Sequence, residues 1–256
     1  MTSALDMVAL HGFTGSGADF DILRHHAPEW SWCTPDLPGH GRHPAAISAD
    51  ATMNVAVSLV HRVAIDGSQV PVLMGYSMGG RVALQAAVCH PDSWRALILV
   101  GATPGIADPQ QAADRRASDE QLAQKIELHG PRPFLDEWSQ LPLIASQRSI
   151  PQPWRDQREQ RQRQLRGDGL AASLRGMGTG SMPAIWDRLS GISMPVLLVT
   201  GEYDEKFRTI ADAMVRQLPL ATHVVLPEVG HAACLESPVA FLAATRSFLH
   251  AHGIAV

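Results

Sequence analysis

The stretch Val70–His90, VPVLMGYSMGGRVALQAAVCH, changes hydrophobic period in its middle, and this limits what the chain can fold into. Val70, Val72, Leu73 and Met74 have the character of a short buried strand, whereas Val82, Ala83, Ala86 and Ala87 recur at helical spacing. Between them, Gly75-Tyr76-Ser77-Met78-Gly79 matches G-x-S-x-G. The glycines let the backbone turn so sharply from strand to helix that Ser77 is left at the apex with its hydroxyl exposed. The helix that follows aims its first N–H groups at any negative charge developing beside that hydroxyl. Such strings also arise by chance in loops rich in glycine and serine. This one lies between a buried strand and an Ala-rich helix, the context a nucleophile elbow requires.

Around this unit, apolar runs alternate with helical patterns. Strands are predicted over Met7–Leu10, Trp32–Thr34, Ala96–Val100, Pro195–Thr200 and His223–Leu226, and helices over Ala18–His26, Met53–Ile65, Ile210–Leu218 and Pro238–Ala251. Alternation of this kind gives a mainly parallel α/β sheet covered on both faces. It stops between residues 106 and 189, a polar segment rich in arginine and glutamine whose helical patterns are short, such as Asp119–Leu128 and Pro133–Trp138. The expected organisation is a core in two parts, residues 1–105 and 190–256, with residues 106–189 as a helical lid over the strand ends.

A serine hydroxyl is a poor nucleophile or base alone and needs an imidazole, itself oriented by a carboxylate. Both candidates follow predicted strands: Asp204 in Gly201-Glu202-Tyr203-Asp204, and His231 in Gly230-His231. Parallel strands bring Ser77, Asp204 and His231 to one carboxyl edge. The plainer alternative is that Asp204 caps a helix and His231 a loop. After the first strand runs His11-Gly12-Phe13-Thr14-Gly15-Ser16-Gly17. A glycine-rich loop can cradle phosphate, but the accompanying Lys-Ser/Thr or G-x-G-x-x-G pattern is missing. The other reading makes the Phe13 N–H an oxyanion donor facing the Ser77 elbow. His40, in Asp36–Gly41, reads as a loop hydrogen-bonder, since no second ligand-type residue lies at metal spacing.

Composition narrows the classes. The 256 residues allow one sizeable core, and a net charge of -4 gives no reason to expect nucleic acid or an anionic membrane surface as a partner. No stretch reaches membrane-spanning length, and the N-terminus lacks a basic leader. Cys33, Cys89 and Cys234 cannot all pair and have no metal-like spacing, so a reducing, cytoplasmic setting is expected. Nothing here sets the oligomeric state.

Over nearly its whole length the chain resembles the α/β-hydrolase superfamily, carried by HGF, DLPGHG, GYSMGG, the terminal VGH and the order Ser77, Asp204, His231. Only six residues precede the first strand, which leaves little room for the two leading strands many members carry. A narrower resemblance rests on SGADF, GATPGI, DEWSQLPLIASQ, GLAASLRGMGTG and GEYDEKF. These are similar to segments of the synthases that make 2-succinyl-6-hydroxy-2,4-cyclohexadiene-1-carboxylate in menaquinone biosynthesis. That resemblance implies a lyase without cofactor or metal, acting on a small polycarboxylate from which pyruvate is eliminated. It implies Ser77 as a general base activated by His231, with Phe13 and Met78 as the oxyanion hole. Arg81, Arg115 and Arg163 would bind carboxylates, and Tyr76 and Trp138 would line the pocket. Arg81 otherwise reads as a structural helix residue, Trp138 as lid packing, and Arg158, Arg161 and Arg166 as a solvated helix face. A carboxylester or carbon–carbon bond hydrolase shares the triad, and a non-catalytic binding protein shares the fold.

Overall fold

The computed structural model describes residues 6–41, 50–67 and 69–255; the first five residues, where no leader is expected, lie outside them. Six apolar segments pair side by side: β1 (Asp6–Leu10), β2 (Ser31–Cys33), β3 (Val72–Tyr76), β4 (Ala96–Val100), β5 (Val196–Gly201) and β6 (Ala221–Leu226). Their spatial order is β2-β1-β3-β4-β5-β6, and every pairing is parallel. Burial follows position in the sheet. The inner strands β3, β4 and β5 are buried along their whole length, while β2 and β6 expose residues to solvent, as edge strands do. Val70 does not join β3. It is 47% exposed, cut off by Pro71, which has no N–H to give the ladder.

Successive side chains of each strand feed opposite layers. On β4, Leu97 and Leu99 enter one core with residues of α2 (Met53–Ile65), α3 (Met78–Cys89) and α9 (Glu205–Val215). Ala96, Ile98 and Val100 enter the other, with α1 (Asp21–His26) and α11 (Pro238–Ala251). The chain leaves β1 toward β2 and returns on the other side of β1 as β3, which makes the gap above β1 and β3 a topological switch point where such sheets build sites.

Between β4 and β5 stands the helical insertion: α4 (Pro109–His129), α5 (Pro131–Trp138), α6 (Pro142–Ala145), α7 (Trp154–Gln162) and α8 (Gly167–Met177). Where short helices were predicted, α4 runs 21 residues. Its start is fixed by Asp108, whose carboxylate accepts the Gln111 N–H at 2.7 Å, and by Pro109 in the first turn. Gly130, at φ +78°, ends it. A small core of its own, including Ala123, Ile126, Phe134, Leu170 and Leu174, holds α4, α5 and α8 together. Among the described residues no helix is long and apolar enough to cross a membrane. All three cysteines are unpaired thiols.

Candidate active site

Register places the two loops above the switch point against each other. Leu10 pairs with Gly75, so His11-Gly12-Phe13 leaves β1 beside Tyr76-Ser77 at the end of β3. Gly79 completes the approach: a Cβ there would lie 2.1 Å from the Leu10 carbonyl oxygen, so only glycine lets α3 start this close to β1. Ser77 has φ +52° and ψ −108°, a costly conformation for a residue with a side chain, and its N–H donates to the Val100 carbonyl at 2.8 Å. The turn thereby lifts Ser77 out of the strand and leaves its Oγ at the cavity floor.

His231 Nε2 lies 2.9 Å from Ser77 Oγ, and its Nδ1 lies 2.6 Å from Asp204 Oδ2. The aspartate and the histidine are both buried. Asp204 also caps α9, its Oδ1 accepting from the Phe207 N–H at 3.5 Å. Capping and orientation are thus not alternatives, because each carboxylate oxygen takes one of them. The early cap explains why α9 begins at Glu205 and not near Ile210. The Phe207 and Tyr76 rings pack on the imidazole at centroid distances of 4.5 and 5.5 Å.

Phe13 occupies a tight turn closed by a Gly15 N–H to Gly12 carbonyl bond of 3.0 Å, with Thr14 at φ +64°. A β-branched residue does not hold that conformation unaided. From below, buried His40 accepts the Thr14 N–H on Nε2 (3.3 Å), while its Nδ1 faces the Pro38 carbonyl. From above, Gln162 of α7 donates to Thr14 Oγ1 at 3.2 Å. His40 is thus a loop hydrogen-bonder, and burial, then the neighbouring His11, push its pKa down to about 3. Among the described residues neither the Phe13 nor the Met78 N–H donates to a protein acceptor.

A cavity of about 540 Å³ opens over Ser77 and His231, and Phe13, Tyr76, Met78, Arg81, Arg115 and Trp138 all line it. Arg81 donates to the Met177 carbonyl, tying α3 to the insertion. Burial first, then the Arg115 charge, push its pKa down to about 10, so it stays a cation at neutral pH. Arg115 Nε bonds Asp119 Oδ1 at 2.9 Å, leaving the rest of its guanidinium for the cavity. The Tyr76 phenol, its pKa raised by burial, accepts from Gln147 Nε2 at 3.1 Å.

Arg163 is the exception. It caps the C-terminus of α7 and borders a separate cavity with Arg132, Arg155 and Glu159. The face of α7 turned to the core carries Arg158 and Arg161, and Arg163 lies about 140° around the helix from Arg158. Nor are Arg158 and Arg161 a solvated face: they hold buried Asp19 at 3.0 and 3.1 Å, Arg158 being only 11% and Asp19 4% exposed in their side chains. Arg166 is exposed and pairs with Asp168. Asp119, Gln147 and Lys206 also line the main cavity. Sequence reasoning gave them no role, although Gln147 and Lys206 fall inside DEWSQLPLIASQ and GEYDEKF.

Residues 7–245 match the alpha/beta hydrolase family. This chain belongs to the alpha/beta hydrolase family. Within that family it is similar to a Bacillus subtilis (strain 168) protein provisionally named 2-succinyl-6-hydroxy-2,4-cyclohexadiene-1-carboxylate synthase, with 34% identity covering 95% of this chain and 89% of the relative. The 2-succinyl-6-hydroxy-2,4-cyclohexadiene-1-carboxylate synthase of Pectobacterium atrosepticum is 32% identical, over 95% and 93% of the two chains. The structure of MenH from S. aureus superposes on this hydrolase-fold chain with a TM-score of 0.90 at 31% identity, covering 98% of this chain and 95% of that one.

Proposed function

We propose that this alpha/beta hydrolase is a lyase. It eliminates pyruvate from 2-succinyl-5-enolpyruvyl-6-hydroxy-3-cyclohexene-1-carboxylate to give 2-succinyl-6-hydroxy-2,4-cyclohexadiene-1-carboxylate in menaquinone biosynthesis. The observation that carries the reading is one cavity in which the Ser77–His231 pair faces two arginines, Arg81 and Arg115. Full-length likeness to synthases of that product supports it. Guanidinium groups bind carboxylates through charge-assisted, often bidentate hydrogen bonds, and a partly desolvated pair of them suits a polycarboxylate better than a lipid ester.

In this reading Ser77 is a general base, not a nucleophile. His231 Nε2 draws the Ser77 proton, and Asp204 holds the imidazole in the tautomer that accepts it. The hydrogen on the ring carbon beside the succinyl carbonyl passes to Ser77 Oγ, and its electron pair enters an enolate. The ring double bond shifts, the bond from the ring to the enolpyruvyl oxygen breaks, and pyruvate leaves as its enolate to be protonated. The N–H groups of Phe13 and Met78 would stabilise the charge on the succinyl oxygen, as an oxyanion hole stabilises a tetrahedral intermediate. Tyr76 and Trp138 form walls that orient the ring. A base, a proton path and an oxyanion pocket meet every demand of this step, so no cofactor is invoked.

Rapid quench during turnover of the enolpyruvyl precursor, followed by intact-protein mass measurement, should show unmodified enzyme while pyruvate accumulates. Ser77→Ala should slow pyruvate release by about 10²- to 10⁴-fold, the usual worth of a positioned base. An acyl adduct on Ser77 formed as fast as turnover would instead mark a carboxylester or carbon–carbon bond hydrolase. Undiminished pyruvate release without the hydroxyl would end the general-base assignment.

A further inference from the structure

The loop that carries His231 is fastened by a carboxylate outside the triad. Glu236, in the short helix α10 (Ala233–Glu236), is only 7% exposed. Its Oε2 accepts the Gly230 N–H at 2.7 Å and its Oε1 accepts the Ala232 N–H at 3.0 Å. These amides flank His231, so one side chain fixes the backbone on both sides of the imidazole. Oε1 also accepts the hydroxyl of Ser146 at 2.9 Å, and Ser146 belongs to the helical insertion. The neighbouring residue, Gln147, is the one whose amide donates to Tyr76 beside Ser77. Gly230 shows how closely the insertion is seated here: a Cβ on it would lie 2.1 Å from Ser146 Oγ.

From these contacts we infer that Glu236 is a positioning residue that couples seating of the Ser146–Gln147 segment of the insertion to alignment of His231 with Ser77. A buried carboxylate is stable only when its oxygens accept hydrogen bonds, and here the donors are two backbone N–H groups of the histidine loop and two hydroxyls of the insertion, Ser146 at 2.9 Å and, more distantly, Ser149 to Oε2 at 3.4 Å. When the insertion lifts, the carboxylate loses a donor and the loop loses part of its anchor. When it closes, the Ser146 bond, with the longer one from Ser149, completes a rigid bracket behind the imidazole. A reacting pair misplaced by about 1 Å loses on the order of 10²-fold in rate, so the bracket bears on turnover without touching substrate. The inference rests on Ser77 and His231 being the reacting pair, whichever bond of the substrate they act on.

A readout independent of the natural substrate separates it from the lyase reading. A fluorophosphonate labels an activated serine: the Oγ–P bond forms, P–F breaks, and the serine proton passes to His231. Glu236→Gln supplies one acceptor where two are needed and faces an N–H with its own NH₂. In the full chain it should slow labelling of Ser77, and lower kcat for pyruvate release, by about 10- to 100-fold, with KM changed less than about threefold because Arg81 and Arg115 are untouched. Ser146→Ala leaves both amide bonds in place and should slow labelling by about three- to tenfold. Added to Glu236→Gln it should slow labelling no further, since both act through one carboxylate. Labelling of Glu236→Gln at the unmodified rate, or losses that multiply in the double variant, would overturn the coupling. If Glu236→Gln does not fold, Ser146→Ala decides alone, and an unchanged labelling rate rejects it. Absence of pyruvate release from the unsubstituted protein would sink the lyase reading while leaving the labelling test intact.

Discussion

At the scale of single residues, the two arginines on the cavity wall differ in character. Arg81 is spoken for in part, since one of its nitrogens holds the Met177 carbonyl, whereas Arg115 is steadied by Asp119 and remains side-on to the cavity. If both hold substrate carboxylates, Arg81→Ala and Arg115→Ala should each lower kcat/KM for the enolpyruvyl precursor by an equivalent of about 1.5–3 kcal/mol, the range for charge-assisted hydrogen bonds. Turnover of a small neutral ester should barely change. Equal losses on both substrates would point to a folding defect. The triad residues stood out in the sequence because each sits in a short string whose geometry forces it: glycines around Ser77, a strand end before Asp204, and a glycine before His231. Arg163 could not be told from its neighbours in the same way. Arginines recur at positions 155, 158, 161, 163 and 166, and only the rotation of α7 about its axis, set by Asp19 on the core, decides which of them turn inward.

At the scale of elements, legibility followed how local the determinants are. The ends of α2 and α11 are as predicted because Thr52 and Pro238 mark their starts and apolar residues recur along them. The length of α4 was not legible. Its apolar face is sparse, and the helix is sustained by its ends and by contacts from far along the chain, among them Arg175 of α8, which grips Glu120 and Glu127 together. Because the Asp108 cap is one of the few local determinants, Asp108→Ala should destabilise the insertion by about 1 kcal/mol. Hydrogen exchange should show that loss in the first turns of α4, with the sheet amides unchanged. Uniform loss of protection would mean that the insertion and the sheet unfold together. The side-by-side order of the strands was likewise beyond the sequence, since it depends on pairings between segments many residues apart.

At the scale of the whole molecule, two buried imidazoles under the site set a limit on acid stability. Burial lowers the pKa of His11, and burial with the nearby His11 lowers that of His40 to about 3, from an ordinary value of 6.5 for each. Below pH 6.5 the two imidazoles bind protons in the unfolded chain that they refuse in the folded one, for His40 down to about 3. The His40 contribution is therefore complete above pH 6.5 and is lost as the pH drops toward 3, by up to about 1.4 kcal/mol per pH unit, and His11 acts in the same direction. Urea unfolding at pH 7, 6 and 5 should show this decline, and His40→Gln should make it shallower. An unchanged slope would show that other groups govern the acid limb. Phe13 connects this buried foundation to the top of the molecule. Its ring meets His40 of the core at 5.5 Å and Trp138 and Phe134 of the insertion at 5.5 and 6.0 Å, and Phe13 lines the same cavity as Ser77. A chimera that exchanged residues 106–189 for the matching segment of a relative would therefore not swap a detachable specificity cassette; it would replace half the socket in which Phe13 is seated, and would need position 13 and its turn to be transplanted as well.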